Sequence, residues 1–168
     1  MTTKNPILIA LLILFVTGLS GGYGLGVKAQ FLPFSAKIGF SQPQWSFLRG
    51  WVKLALVAGV LLPVILLIQS WEYSAQRAFW DSYLLVVALQ LISERLLSQW
   101  LVPSIVVPLG FFYTVFRLWQ LLDGYIHFTF SGLTMWAFLV VLMFWAANLV
   151  MLMGLAIPAI YVQRDTQN

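Results

Sequence analysis

Long apolar stretches separated by short polar ones run along the whole chain. Each is close to the roughly 20 residues that a helix needs to cross a bilayer core. None shows the strict alternation of a membrane β-strand, and a helix satisfies its backbone groups within one segment, as lipid requires. We therefore predict an all-α integral membrane protein, one domain over 1–168, folded as a bundle of four or five transmembrane helices. The predicted spans are 6–27, 52–71, 79–101, 103–122 and 133–157.

The composition agrees with a membrane location. Hydrophobic residues make up 61% of the chain and charged residues 8%, whereas soluble domains carry about 25% charged residues. The net charge of +4 lies mostly in connecting segments, where Lys and Arg set topology and meet anionic lipid. We therefore expect membrane lipids as partners and no nucleic acid. The chain has no cysteine, which excludes disulfides and thiolate metal sites.

Prolines interrupt three of the predicted spans. Pro63 lies in the middle of the second span, where its missing N–H frees the carbonyl of Gly59 and should kink the helix. Pro103 and Pro108 break the start of the fourth span, which either crosses the membrane or is re-entrant. We favour a crossing because its middle is too apolar to lie in water. Pro158 should end or kink the last span.

The longest connection, 28–51, combines basic and aromatic residues, which suits the headgroup layer. We predict a loop or short helix lying on the membrane, on the cytoplasmic or stromal side by the positive-inside rule. With five spans the polar tail carrying Arg164 lies on this same side, and with four it lies opposite. A cleaved signal peptide is the alternative for 6–27, but we expect this segment to be retained.

Three glycines follow each other at four-residue spacing in the first span: Gly18, Gly22 and Gly26. On a helix they share one face, which lets another helix approach closely. The alternative is a flexible, glycine-rich helix end. We predict a helix-packing face.

Glu94, Arg95 and Arg117 lie inside predicted spans, where charges are rare and face the protein interior. One interpretation is a buried Glu94–Arg117 ion pair that lines a site or a proton path. The other is an interhelical staple, or charges that reach the membrane surface along their aliphatic stems. Helical spacing places other polar residues on the same faces: Tyr83, Gln90 and Ser98 with Glu94, and Tyr113 and Gln120 with Arg117.

Two further polar residues are candidates for specific roles. Asn148 lies inside the last span and must find a partner in lipid, so we expect an interhelical hydrogen bond, with a ligand contact as the alternative. His127, in a predicted loop over 123–131, could ligate a haem or chlorophyll. A single histidine is weak support for a pigment ligand, and an interfacial residue is the simpler interpretation.

No common enzyme motif is present. The sequence contains no HExxH, GxSxG, GxGxxG or P-loop pattern. It also has no pair of carboxylates within one helix and no cluster of histidine and carboxylates. We therefore expect a protein that is not an enzyme and binds no metal.

Parts of the C-terminal two thirds resemble an uncharacterised family of small polytopic membrane proteins of cyanobacteria and plant plastids. The resemblance rests on QLISERL at 90–96, VPLGFFYTVFRLW at 107–119 and FWAANLVMLMGLAIPAIY at 144–161. It implies a thylakoid-type or bacterial inner membrane and assigns no activity. The positions it marks as expected to recur are Glu94, Tyr113, Arg117, Asn148 and Pro158.

These observations lead to three functional hypotheses. The first is a non-catalytic accessory or assembly factor of a larger membrane complex, for which photosystem subunits in the thylakoid are candidate partners. The second is a small transporter or channel that uses Glu94, Arg95 and Arg117. The third is a pigment- or lipid-binding protein, whose cofactor would be chlorophyll or a carotenoid.

Overall fold

The structure is a computed structural model that describes residues 6–161. Two five-residue π-helical segments, Val57–Leu61 and Leu152–Ala156, interrupt long helices. A single 3-10 turn, Pro103–Ile105, precedes the fifth helix. The described part of the chain is all-α, as predicted. Its α-helices are α1 (Pro6–Lys28), α2 (Gln42–Leu56), α3 (Leu62–Gln69), α4 (Ser74–Trp100), α5 (Val106–His127), α6 (Gly132–Met151) and α7 (Ile157–Tyr161).

Because the π segments join α2 to α3 and α6 to α7, the helices form five rods. Four rods are long and apolar enough to cross a membrane: Ile9–Lys28, Gln42–Gln69, Pro103–His127 and Gly132–Tyr161. The remaining rod, α4, is not in this group, because it contains several polar and charged residues. It packs against α5 and buries both apolar and polar residues between Phe79 and Gln90. The chain is thus a multi-pass helical membrane protein.

The rods alternate in direction. The connection 29–41 donates backbone hydrogen bonds from Ser35 to the Ile160 carbonyl at 2.8 Å and from Gly39 to the Ala159 carbonyl at 3.1 Å. The end of α7 therefore lies at the same end of the bundle as this connection. We call this end of the bundle the basic end, because it carries Lys28, Lys37, Arg49 and Lys53. This is the arrangement that five spans predict, although residues 162–168 with Arg164 lie outside the described residues.

Several boundaries differ from the predicted ones. The predicted surface connection 28–51 is shorter, because α2 begins at Gln42 and the Ser41 N–H bonds to the Gln44 side chain at 2.7 Å. The predicted loop 123–131 is also shorter, since α5 continues to His127. Pro108 does not break α5. It lies in the first turn, where a missing N–H disturbs little.

Pro63 and Pro158 do not end their rods, because the helices continue past both prolines. Each proline comes two residues after the end of a π segment. The N–H of the residue just before the proline bonds to the carbonyl five positions back: Leu62 to Val57, and Ile157 to Leu152. Such π segments insert one extra residue into the helical ladder and occur often at functional sites.

Aromatic side chains fill the half of the bundle away from the basic end. We call Phe79, Trp80, Tyr83, Phe130 and Phe138 the aromatic layer; all five are buried and belong to one core cluster. The Phe130 and Phe138 rings stack with centroids 4.6 Å apart, and Trp80 lies against both Tyr83 and Phe130. This layer closes the interior between α3, α4 and α6.

The predicted glycine face of α1 does not pack against a helix of this chain. A Cβ added at Gly18 or Gly22 would meet nothing within 4 Å, and one at Gly26 would meet only Leu32 of the following connection. The close approach is made instead at Gly24, where an added Cβ would lie 2.8 Å from a methyl carbon of Leu101. Regular spacing identified a face of α1, but the chain uses a different one.

Candidate functional site in the bundle interior

The centre of the bundle holds a chain of polar contacts that begins at Arg117. This α5 side chain is 1% exposed and donates a hydrogen bond from Nη2 to Oε1 of Gln90. Gln90 in turn donates from Nε2 to Oε1 of Glu94, one helical turn further along α4. The interpretation in which Glu94 and Arg117 pair directly does not describe this arrangement, because both bond to Gln90. The Gln90 amide lies between them because it shares a face with Glu94 and is level with Arg117.

The other side of Arg117 faces an aromatic ring. Its guanidinium carbon lies 4.0 Å from the centroid of the Trp145 ring, within cation–π range. Trp145 donates from Nε1 to the Tyr83 hydroxyl at 2.6 Å, and that hydroxyl donates to the Gly59 carbonyl at 3.1 Å. The carbonyl that Pro63 frees therefore has a partner. We call these residues the central network: Gly59, Tyr83, Gln90, Glu94, Arg117 and Trp145.

The guanidinium of Arg117 is only partly satisfied. Its Nε is buried and has no hydrogen-bond partner among the described residues. A buried guanidinium away from direct contact with a carboxylate carries a large desolvation penalty, which a further acceptor would reduce. The residue is therefore able to bind an acceptor in addition to Gln90.

A cavity of about 280 Å³ lies beside the central network, and we call it the crevice. Its walls come mainly from α2, α4, α5 and α6. Most lining side chains are aliphatic or aromatic, and the polar ones are Gln90, Glu94, Arg117 and Asn148. Val52, Leu56 and Leu91 line it and are exposed, so it opens at the bundle surface. The opening exists because α2 buries none of its residues and stands apart from the other rods.

Asn148 ties the walls of the crevice together. Its Oδ1 accepts a hydrogen bond from Trp51 Nε1 at 2.8 Å, and its Nδ2 donates to the Thr114 hydroxyl at 2.9 Å. The predicted interhelical hydrogen bond is confirmed, and it joins α6 to both α2 and α5. The Trp51 side chain thereby connects α2 to α6 by a hydrogen bond.

The crevice does not continue to the far end of the bundle. A polar depression of about 300 Å³ lies there, lined by Gln69, Ser70 and Thr134 among others, and it shares no residue with the crevice. Phe130 borders the depression, and contacts through Trp80 connect it to Tyr83 of the central network. The aromatic layer thus separates the two spaces.

The remaining predicted site residues lie outside the central network. Arg95 is exposed, one residue beyond Glu94. Tyr113 is fully buried, and its hydroxyl lies 3.4 Å from that of Ser93. His127 is exposed at the end of α5 and not in a loop, with Nδ1 2.8 Å from the Asp123 carbonyl oxygen. Within residues 6–161 no three His, Cys, Asp or Glu side chains come together as a metal site would require.

Comparison of the chain with protein-family models, curated proteins and solved structures gave no match. The resemblance to cyanobacterial and plastid membrane proteins therefore stays a prediction. The geometry of the crevice and the central network is the basis on which a function can be proposed.

Proposed function

We propose that this chain is a non-catalytic membrane protein that binds a small amphipathic ligand in the crevice. One observation carries the proposal: an incompletely hydrogen-bonded, buried Arg117 lines a cavity whose other walls are mostly apolar. Ligand sites in proteins are concave, largely apolar and equipped with a few polar groups that orient the ligand. Ionisable residues inside membrane proteins commonly mark such sites.

A purely structural role accounts for less of this geometry. A staple between α4 and α5 needs Arg117, Gln90 and Glu94, but it does not need a cavity beside them. Protein interiors are close-packed, and a gap next to a buried charge forfeits contacts that a larger side chain at Gly110 would restore. The retained space favours a binding role over a staple alone.

The transporter hypothesis uses the same crevice. In a carrier, the side chains of the aromatic layer would have to move apart to let a substrate through, because Trp80 and Phe138 fill the interior on the far side of the central network. Arg95 would take no direct part, since it lies outside the crevice lining. Binding is the step that a carrier and a binding protein share, and it is what this conformation supports.

The test is to purify the protein in mild detergent and identify co-purifying small molecules by mass spectrometry. Gly110→Leu should fill the crevice, because a Cβ there meets Leu152 and Glu94 only at ordinary distances of 3.7 and 3.8 Å. Gly50→Leu is the control, since nothing lies within 4 Å of its Cβ. We expect an amphiphile to co-purify with wild type and Gly50→Leu and to be lost from Gly110→Leu. An identical small-molecule content in all three would refute the proposal.

A second candidate is the accessory or assembly factor of a larger complex. The exposed glycines of α1 favour it: Gly18 and Gly22 offer a flat surface that nothing within residues 6–161 occupies. Photosystem subunits of a thylakoid membrane are the partners that the sequence resemblance suggests. Native gels of gently solubilised membranes test it, with Gly18→Leu and Gly22→Leu expected to release the protein from the complex. Migration as a lone species in every detergent would oppose it.

The pigment version of the binding hypothesis has its own readout. Chlorophyll or a carotenoid bound to the purified protein would give absorption bands in the visible range. His127→Ala should remove a chlorophyll band if this exposed histidine is its ligand. A spectrum with only the protein band would eliminate pigment as the ligand.

A further inference from the structure

We infer that the crevice binds an amphiphile with one anionic oxygen-bearing head, a carboxylate or a phosphate, which bonds to Arg117. This inference rests on the proposed binding function and names the chemical class of its ligand. The juxtaposition behind it is a buried guanidinium, one of whose donors has no partner, on a residue that lines a mostly apolar cavity open at the bundle surface.

The hydrogen-bonding capacity of the network indicates an acceptor. Arg117 has only donors, and its Nε is unpaired. The Gln90 amide is engaged on both sides, by Arg117 at its oxygen and by Glu94 at its nitrogen. The Asn148 amide is likewise engaged at both ends. Among the buried polar atoms of the side chains that line the crevice, Arg117 Nε is the one without a partner, and an anionic oxygen is the best partner for a guanidinium donor.

Glu94 is the feature that could oppose an anion. Its Oε1 is covered by the Gln90 amide, which separates it from Arg117 and lowers the repulsion that a ligand beside Arg117 would meet. Arg49 and Lys53 lie on α2 next to the crevice-lining residues Leu48 and Val52. These cations, with the other basic residues at this end of the bundle, raise the local concentration of anions.

The size and lining of the crevice set the rest of the ligand. The volume of about 280 Å³ is close to the roughly 300 Å³ at which small-molecule sites begin. The head and a short apolar chain fill this space, and a longer chain leaves past Val52, Leu56 and Leu91 into lipid. The ligand could thus be a medium-chain carboxylate from the aqueous phase or an acidic lipid from the bilayer, which share this chemistry.

The experiment is a scintillation-proximity binding assay on the full chain in dodecyl maltoside, with radiolabelled decanoate as the probe. Unlabelled decanoate, decanol and decylamine compete as heads of different charge on one chain length. We expect decanoate to compete about tenfold to a hundredfold better than decanol, the range for a hydrogen bond to a charged group. Decylamine should compete no better than decanol.

Two variants locate the site. Gly110→Leu should abolish the bound signal, while Gly50→Leu, outside the crevice lining, should keep it. Arg117→Lys retains the charge but loses the planar donor set, so decanoate affinity should fall about tenfold while decanol affinity stays the same. Should Arg117→Lys fail to fold, the competition series on wild type and Gly110→Leu still decides the question.

The outcomes separate this inference from the proposed function. Equal competition by decanol or decylamine, with binding still lost in Gly110→Leu, would overturn the anionic class and leave the binding function standing. Decanoate binding that persists in Gly110→Leu would overturn both. Displacement by phosphatidic acid supports the inference and identifies the membrane as the source, whereas displacement by hexanoate supports it and identifies the aqueous phase.

Discussion

Gly59 is a position at which a single added methyl group tests one contact of the central network directly. It is buried in the first π segment, and a Cβ added there would lie 2.8 Å from Cζ2 of Trp145. The indole cannot easily retreat, because its nitrogen bonds to Tyr83 and its face lies under Arg117. We predict that Gly59→Ala strains the contact between the α2–α3 rod and α6.

The magnitude follows from two opposing terms. Overpacking a well-packed core destabilises a protein by about 1–3 kcal/mol. Replacing glycine by alanine inside a helix stabilises it by roughly 0.5–1 kcal/mol. The net expectation is a loss of about 0–2.5 kcal/mol in the free energy of unfolding.

Gly154 provides the matched control. It lies in the second π segment, four residues before Pro158 as Gly59 is four before Pro63, and nothing lies within 4 Å of its Cβ. Gly154→Ala should therefore be neutral or slightly stabilising. Reversible unfolding in sodium dodecyl sulfate, followed by circular dichroism, measures both variants. If the two differ by less than about 0.5 kcal/mol, the argument for a rigid indole contact fails.

A double-mutant cycle tests the cause directly. Trp145→Phe removes the atom that the new methyl group would meet, at the expense of the hydrogen bond to Tyr83. The loss caused by Gly59→Ala should shrink in this background, giving a coupling energy of about 0.5–3 kcal/mol, as for residues in contact. Additive losses would place the strain elsewhere.

Two further predictions concern neighbouring contacts. Asn148→Ala removes the hydrogen bonds to Trp51 and Thr114 and should lower the free energy of unfolding by about 1–2 kcal/mol in the same assay. Thr114→Val removes only one of these bonds and should cost about half as much. Equal losses would contradict two separate bonds. Gly124→Ala should lower stability by about 0–2.5 kcal/mol on the same two terms, because its Cβ would lie 2.6 Å from the Phe79 ring, and Phe79→Leu should relieve part of this loss. No relief would show that the ring is not the obstacle.

Much of the fold could be predicted from the sequence because lipid imposes simple rules. A helix must satisfy its own backbone groups, so long apolar runs indicate spans with little ambiguity. The same rule requires polar side chains inside spans to meet one another. It correctly grouped Tyr83, Gln90 and Glu94 on one face of α4 and gave Asn148 an interhelical partner. Ser98, which was grouped with them, bonds instead to the Arg95 carbonyl of its own helix.

The partners within the site could not be predicted, because they depend on how the rods are placed along one another. Helical spacing put Glu94 and Arg117 on inward faces but could not show that the Gln90 amide lies between them. Trp145 belongs to the network only because Gly59 of another rod leaves room for its ring. Nothing local in the sequence distinguishes this tryptophan from those at the membrane surface.

The glycines of α1 show a related limit. Four-residue spacing selects a smooth helix face but not the neighbour that will occupy it. Gly24, which breaks the regular series of Gly18, Gly22 and Gly26, is the position that approaches α4, at Leu101. Among the described residues the regular face remains open at Gly18 and Gly22, and this is why it still supports a partner protein.

The placement of α4 explains why the site and the fold are hard to separate. α4 is the rod least suited to lipid by composition, and Ser82, Tyr83 and Gln90 need partners that only other rods supply. Substitutions that disrupt the network should therefore weaken the packing of α4 as well as binding, and a loss of binding in them would be ambiguous. Gly110 avoids this difficulty because it borders the crevice without bonding through a side chain. Filling the crevice from Gly110 is thus the change that tests function without removing a side chain of the central network.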